Sequence, residues 1–242
     1  MNSIATTLRE LLAVLREKEK RDFVRKILAS PGQRRHLLRW VRSMSPDFLF
    51  DEPSPWITCD AYDYLRKRLP QGARVFEYGS GGSTLFWKHR GAALVSVEHD
   101  REWYETVRRR LGNSPGVDYR LVPPEQRAGG GNGADPSEPR DYASDDTRYA
   151  GLSFRNYVSQ IDAFPDASFD VLLIDGRARP SCIMHGGGKV RIGGFLVLDN
   201  ADRSYYTEKV RAYLENYERR RFFGVLPSIT YFSATDVYVR MR

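Results

Sequence analysis

Cysteine is almost absent: Cys59 and Cys182 are the only two in 242 residues. Two isolated cysteines exclude a disulfide framework and a paired-cysteine structural zinc site, so both are expected as reduced thiols. Long apolar runs are missing as well. No stretch approaches the roughly 18 uninterrupted apolar residues of a membrane span. Met1-Asn2-Ser3-Ile4 passes into a charged amphipathic pattern, without the compact apolar core and small-residue cleavage site of a signal peptide. The expected location is cytoplasmic. What is present is enough for a folded core: 41% of residues are hydrophobic and 12% aromatic, which excludes a disordered chain.

Net charge of either sign is lacking over most of the chain. Residues 1–44 hold 11 Lys or Arg against 4 Asp or Glu, which is the entire net charge of +7. The remaining residues balance, 27 basic against 27 acidic. A basic segment is usually a solvated helix face; contact with an acidic polymer and homodimerisation through the N-terminal helices are the other two uses open to it.

Leu8, Leu11, Leu12 and Leu15 follow the i, i+3, i+4, i+7 spacing of a helical stripe, extended by Phe23, Val24, Ile27 and Leu28 until Ser30-Pro31-Gly32 breaks it. A second helix is predicted over about 34–42, burying Leu37, Leu38 and Val41 and ended by Ser45-Pro46. Residues 1–50 therefore read as a basic helical extension and 51–242 as the main domain, joined through Pro53, Pro55 and Trp56. After a helix over 60–67, strands and helices alternate as in a parallel α/β sheet. Strands are expected over 73–78, 93–98, 117–122, 169–175 and 195–198, with helices over 84–89, 103–111, 154–161 and 208–217. The tail, 222–226 and 231–240, reads as a hairpin. Between 123 and 150 periodicity stops around Gly129-Gly130-Gly131-Asn132-Gly133, and a loop of that length is typically a mobile functional lid or disordered.

The sharpest motif is Glu77-Tyr78-Gly79-Ser80-Gly81-Gly82-Ser83, placed between the first strand and its helix. Glycines there let a ligand approach the backbone, although such turns also serve purely structural joins. Glu98 closes the next strand, 21 residues after Glu77. Alone it would read as a solvated acid; in register with the turn it suits the two ribose hydroxyls of an adenosine cofactor. A dinucleotide site would carry a third glycine where Thr84 stands.

An acid before the turn and a second acid one strand later resembles the first motifs of the class I S-adenosylmethionine (SAM) dependent methyltransferases, over about residues 72–242. The resemblance implies a Rossmann-like α/β fold, a seven-stranded, mostly parallel sheet with helices on both faces and one antiparallel strand inserted by the final hairpin. It implies SAM as cofactor, with Glu77 orienting the amino-acid end, Tyr78, Gly79, Ser80, Gly81 and Ser83 around the turn beneath it, and Glu98 holding ribose. No Asn-Pro-Pro-Tyr element of amino-directed nucleic-acid enzymes is present, which disfavours a nucleic-acid partner.

Asp175 and the pair Asp199-Asn200 each end a predicted core strand, where ligands gather in open α/β sheets. They look like the metal site of catechol and caffeoyl-CoA type O-methyltransferases, which implies a Mg2+ or Ca2+ held by Asp175, Asp199 and Asn200 and a hydroxyl of a small acceptor, a sugar or secondary metabolite, as methyl recipient. The alternative is that Asp175 orients cofactor or substrate while Asp199 and Asn200 cap the following turn. Those enzymes carry a lysine base shortly after the first acid; here Arg177 and Arg179 follow, suited to an acidic substrate group or to internal salt bridges. Asp175 and His185 are the candidate catalytic residues, with His185 as base, and Tyr205 and Tyr206 are candidate pocket walls. An RNA or protein methyltransferase and a non-catalytic module with the same pocket are the competing classes.

Overall fold

The computed structural model describes residues 12–127 and 133–242. Leu8 and Leu11 of the expected N-terminal stripe, and Gly129 to Asn132 of the long loop, lie outside them. The helices are α1 (Lys18–Ala29), α2 (Leu37–Arg42), α3 (Phe48–Asp51), α4 (Cys59–Arg66), α5 (Gly82–His89), α6 (Arg101–Leu111), α7 (Arg155–Val158), α8 (Arg179–Gly186) and α9 (Tyr205–Glu208). The strands are β1 (Arg74–Tyr78), β2 (Ala93–Glu98), β3 (Val117–Leu121), β4 (Glu125–Gln126), β5 (Leu152–Ser153), β6 (Phe169–Ile174), β7 (Val190–Leu198), β8 (Tyr217–Val225) and β9 (Phe232–Arg240).

Seven strands form one sheet in the order β3-β2-β1-β6-β7-β9-β8, parallel from β3 to β7 and antiparallel where β9 meets β7 and β8. The expected architecture is the one observed. Its central strands are apolar on both sides because helices cover both faces. Phe76, Tyr78, Leu172 and Ile174 pack with Tyr157, Ile161 and Ile183 on one face. Val75, Leu94, Leu173 and Val197 pack with Leu65 and Trp87 on the other. The chain leaves β1 toward β2 and β3 and later returns to β6 on the opposite side. The carboxyl ends of β1 and β6 therefore flank the switch point, where such sheets bind ligands.

Three expectations shift. β7 starts at Val190, well before the expected strand, because Gly193 (φ +75) lets the chain loop out of register against Phe169 and Val171. The expected helix over 208–217 is only the four-residue α9 and a 3-10 turn over Arg211–Leu214; β8 already begins at Tyr217. Glu218 to Arg221 are exposed on this edge strand, so no apolar alternation announced it. Leu38, expected buried, is 60% exposed, and Trp40 fills the core in its place.

The N-terminal helices are held firmly. Phe23, Val24, Ile27, Trp40 and Val41 bury against Cys59 and Val225. Trp40 Nε1 donates to the Ile229 carbonyl (2.6 Å), Trp56 Nε1 to that of Pro227 (2.6 Å), and the Ser228 N–H to Ser43 Oγ (2.7 Å). Both cysteines are buried free thiols. Among the described residues no helix is long and apolar enough to cross a membrane. The described residues of 123–150 have more structure than the composition announced: β4 pairs with β5, just beyond that range, and 3-10 turns form over Pro139–Asp141 and Thr147–Tyr149.

Candidate cofactor and acceptor site

β1 delivers the chain into the glycine turn. Gly79 has φ +86, and a Cβ there would stand 2.9 Å from the Gly176 Cα, so the first glycine is required both by conformation and by the loop after β6. Glu77 lies beneath this turn with no exposure. Its Oε2 accepts from Thr84 Oγ1 (2.6 Å) and Ser96 Oγ (2.7 Å), and Thr84 Oγ1 in turn accepts from the Gly81 N–H (2.9 Å). Oε1 is left without a partner. Burial pushes Glu77 up to about 7, against the hydrogen bonds of Ser83, Thr84 and Ser96.

Glu98, at the end of β2, is 2% exposed and already occupied. Oε2 accepts from Ser80 N and Ser80 Oγ (2.9 Å each), and Oε1 from the N–H groups of His99 (2.8 Å) and Asp100 (2.9 Å). Burial opposes its charge, yet the His99 contact and the backbone donors of Asp100 and Ser80 hold it below the usual glutamate range. It is a fixed anion that ties the glycine turn to the end of β2.

These ends enclose a cleft of about 290 Å³. Gly79, Ser80 and Glu98 form its floor; Asp175, Gly176 and Arg177 form one side, and His99, Asp100 and Trp103 the other. Trp56, Arg148 and Tyr149 complete the rim. Trp103 Nε1 donates to the Ser80 carbonyl (2.8 Å), and the guanidinium carbons of Arg148 and Arg177 lie 5.6 and 5.7 Å from the Tyr149 ring centre. A narrower crevice continues past Gly176, lined by Ala143, Asp145, Arg177, Arg179, Tyr205 and Tyr206.

Of the residues singled out by sequence, Gly79, Ser80, Glu98, Asp175 and Arg177 line the cleft, and Arg177, Arg179, Tyr205 and Tyr206 the crevice. Tyr78 points into the core and donates to the Val158 carbonyl (2.5 Å). Ser83 is buried in the first turn of α5, and Gly81 lies against the Trp103 ring. Glu77, Tyr78 and Ser83 thus support the turn from below and do not border the cleft.

His185 is also displaced from the expected place. It sits in the last turn of α8, its Nδ1 2.9 Å from Asp162 and its Nε2 3.2 Å from the Tyr142 hydroxyl, and it borders neither cavity.

The set expected to hold a metal fits one poorly. Asp199 Oδ1 accepts from Thr235 Oγ1 (2.7 Å) on β9, and Asn200 turns the chain in a left-handed conformation (φ 49). The Arg179 guanidinium lies against Asp175 Oδ1 (3.1 Å) and the Asp199 carbonyl. Among the described residues no group of three or more His, Cys, Asp or Glu is placed to hold a metal ion. Burial raises both Asp175 and Asp199; the negative charge of Asp175 adds to the rise at Asp199.

Sequence reading missed Trp56, His99, Trp103, Arg148 and Tyr149. Trp103 had a signal, an indole in the first turn of the helix that follows the ribose-type acid. Trp56, Arg148 and Tyr149 come from irregular segments, where no periodicity fixes a side chain's direction.

No protein-family profile matches the sequence, and no curated protein matches it. Solved structures do match. The O-methyltransferase from Bacillus cereus in complex with SAH (S-adenosylhomocysteine) aligns at TM-score 0.53 and 15% identity, over 84% of this chain and 96% of that one. The O-methyltransferase TomG from Streptomyces achromogenes, involved in tomaymycin synthesis and solved with SAM, aligns at TM-score 0.53 and 16% identity, over 83% and 88%. Likeness at this identity is likeness of fold: the chain has the fold of the class I SAM-dependent O-methyltransferases.

Proposed function

We propose that the protein transfers a methyl group from SAM to a hydroxyl of a small acceptor. The observation that carries this reading is the meeting of the Gly79 turn and the charged Glu98 carboxylate in one cleft at the switch point of the sheet. The residues fit the cofactor. Ribose hydroxyls entering the cleft would donate to Glu98 by displacing the Ser80 hydroxyl, which has Tyr119 Oη 2.7 Å away as a second partner. The bound cofactor supplies a methyl group already activated on a sulfonium, so the chain's own work is alignment and removal of one proton.

Asp175 is the base in this reading. One oxygen is held by Arg179, the carboxyl borders the cleft, and burial raises its affinity for a proton. His185 has no part in it. The crevice between Tyr205, Tyr206 and the segment 133–150 measures only about 10 Å³, so the acceptor would enter there only as that segment, its lid, opens. That segment is held across the crevice by Lys209 to Asp135 (2.8 Å), Arg203 to Asp145 (2.8 Å) and Arg177 to Asp146 (3.1 Å).

Calorimetric titration with SAH tests the first half: one site per chain is expected, weakened by Glu98→Gln, and absence of binding by the folded protein would remove the reading. SAH release across a panel of hydroxylated small molecules tests the second. A polymer acceptor is the second reading, favoured only by the exposed Lys26 and Arg34 in the basic segment. RNA binding abolished by Lys26→Glu with Arg34→Glu, at unchanged SAH affinity, would favour it.

A further inference from the structure

We infer that Arg179 is the resident cation of the acceptor site, filling the place between the ends of β6 and β7 that a divalent metal would need, and positioning Asp175 by doing so. The geometry stands by itself; its catalytic meaning rests on the methyl-transfer reading above.

A guanidinium that is 5% exposed is costly to bury unless its donors are satisfied. Here they are. Nε donates to the Gly176 carbonyl (3.1 Å), Nη2 to the Asp175 carbonyl (3.2 Å) and to Asp175 Oδ1 (3.1 Å), and Nη1 to the Asp199 carbonyl. The Tyr206 ring covers it, with its centre 5.2 Å from the guanidinium carbon. One planar group therefore links the carboxyl ends of two neighbouring strands, a fork that lysine, with its single nitrogen, does not reproduce.

A Mg2+ or Ca2+ would need Asp175 and Asp199 oxygens at about 2.0–2.6 Å. Asp175 has one oxygen on the guanidinium and Asp199 has one on Thr235, and a dication placed between them would meet the fixed positive charge of Arg179. The same guanidinium holds the Gly176 carbonyl, and Gly176 is the residue that Gly79 touches. Arg179 thus acts on the cofactor turn through the loop it clamps, without bordering the cofactor cleft.

The test titrates the full-length protein with Mn2+, with and without SAH, and reads free Mn2+ by electron paramagnetic resonance. No stoichiometric uptake up to about 1 mM is expected. Uptake with a micromolar Kd that Asp199→Asn abolishes would overturn the inference. In parallel, Arg179→Ala is expected to lose SAH affinity by about tenfold, a loss of roughly 1.4 kcal/mol, and to regain it with millimolar ethylguanidinium. Rescue by Mn2+ as well supports the inference, since the vacated place is the one a dication would take; unchanged SAH affinity in Arg179→Ala overturns it. If Arg179→Ala does not fold, Arg179→Lys serves: SAH affinity equal to wild type overturns the positioning role, and an intermediate affinity supports it. Failure of wild type to bind SAH at all would strike the proposed function and leave the Mn2+ outcome to judge Arg179.

Discussion

Gly79 and Gly176 meet backbone to backbone: a Cβ on the first would stand 2.9 Å from the Cα of the second, and a Cβ on the second 3.1 Å from the nitrogen of the first. The contact joins the cofactor turn after β1 to the acceptor-side loop after β6, so the two halves of the site share one hinge of bare backbone. A Cβ on Gly176 would also lie 2.0 Å from the Tyr157 hydroxyl. Gly176→Ala is therefore expected to destabilise the fold by about 1–3 kcal/mol through overpacking and to weaken SAH binding. Tyr157→Phe, which removes the clashing oxygen, should restore part of the stability in the double variant. Thermal unfolding and calorimetry read both, and an unaltered Gly176→Ala would show that the loop yields freely.

Glu98→Gln sets an amide nitrogen among the donors of Ser80, His99 and Asp100. A buried donor facing donors costs about 1–3 kcal/mol. SAH affinity should fall by about tenfold or more, with the unfolding midpoint lowered as well. Equal affinity in wild type and variant would mean that ribose is held elsewhere.

Glu77 carries a pH signature. Its folded value, about 7, lies above the ordinary 4.5. The folded state therefore keeps a proton that the unfolded chain has released, and stability contributed below pH 4.5 is lost as pH rises toward 7. Glu77→Gln, which leaves an uncharged group of the same shape under the turn, should flatten that decline and raise stability at pH 8 by roughly 1–3 kcal/mol. Chemical denaturation of the cofactor-free protein across pH 4 to 8 measures it; parallel curves for the two proteins would sink the assignment.

Trp40 is the anchor of the N-terminal helices, fully buried against Phe23 with ring centres 5.2 Å apart. Trp40→Ala should cost about 3–5 kcal/mol. Unfolding in urea is expected to remain one transition, since those helices share a core with Cys59 and Val225. A separate early transition would show that they melt independently.

The parallel core was legible because its strands bury both faces, and Phe169 to Ile174 needed no periodicity to be read. Glu98 and Gly79 were legible because a turn and an acid one strand apart restrict each other. The second half of β8 was legible as one arm of the final hairpin; its first half was not, since an exposed edge strand carrying Glu218, Arg219, Arg220 and Arg221 looks like a helix surface. Arg179 was legible as a cation near Asp175, but which oxygens it would claim depended on the Asp199 carbonyl, 20 residues away in sequence. The same holds for His185: Asp162 and Tyr142, remote in sequence, decide where its ring points. Local pattern identifies chemistry, and only the closed sheet assigns partners.

Trp40, Trp56, Gln33 and Ser43 all bond to residues 225–229, across sequence separations of 189, 171, 192 and 185. The first helices thus dock on one of the last turns made. During synthesis the amphipathic segments Lys18–Ala29 and Leu37–Arg42 must wait, with Phe23, Ile27 and Trp40 uncovered, until about residue 230 has left the ribosome. Closing so long a loop late makes assembly slow to commit. The waiting stretch, residues 1–44, carries the whole net charge of +7, and like charge opposes association of exposed apolar faces.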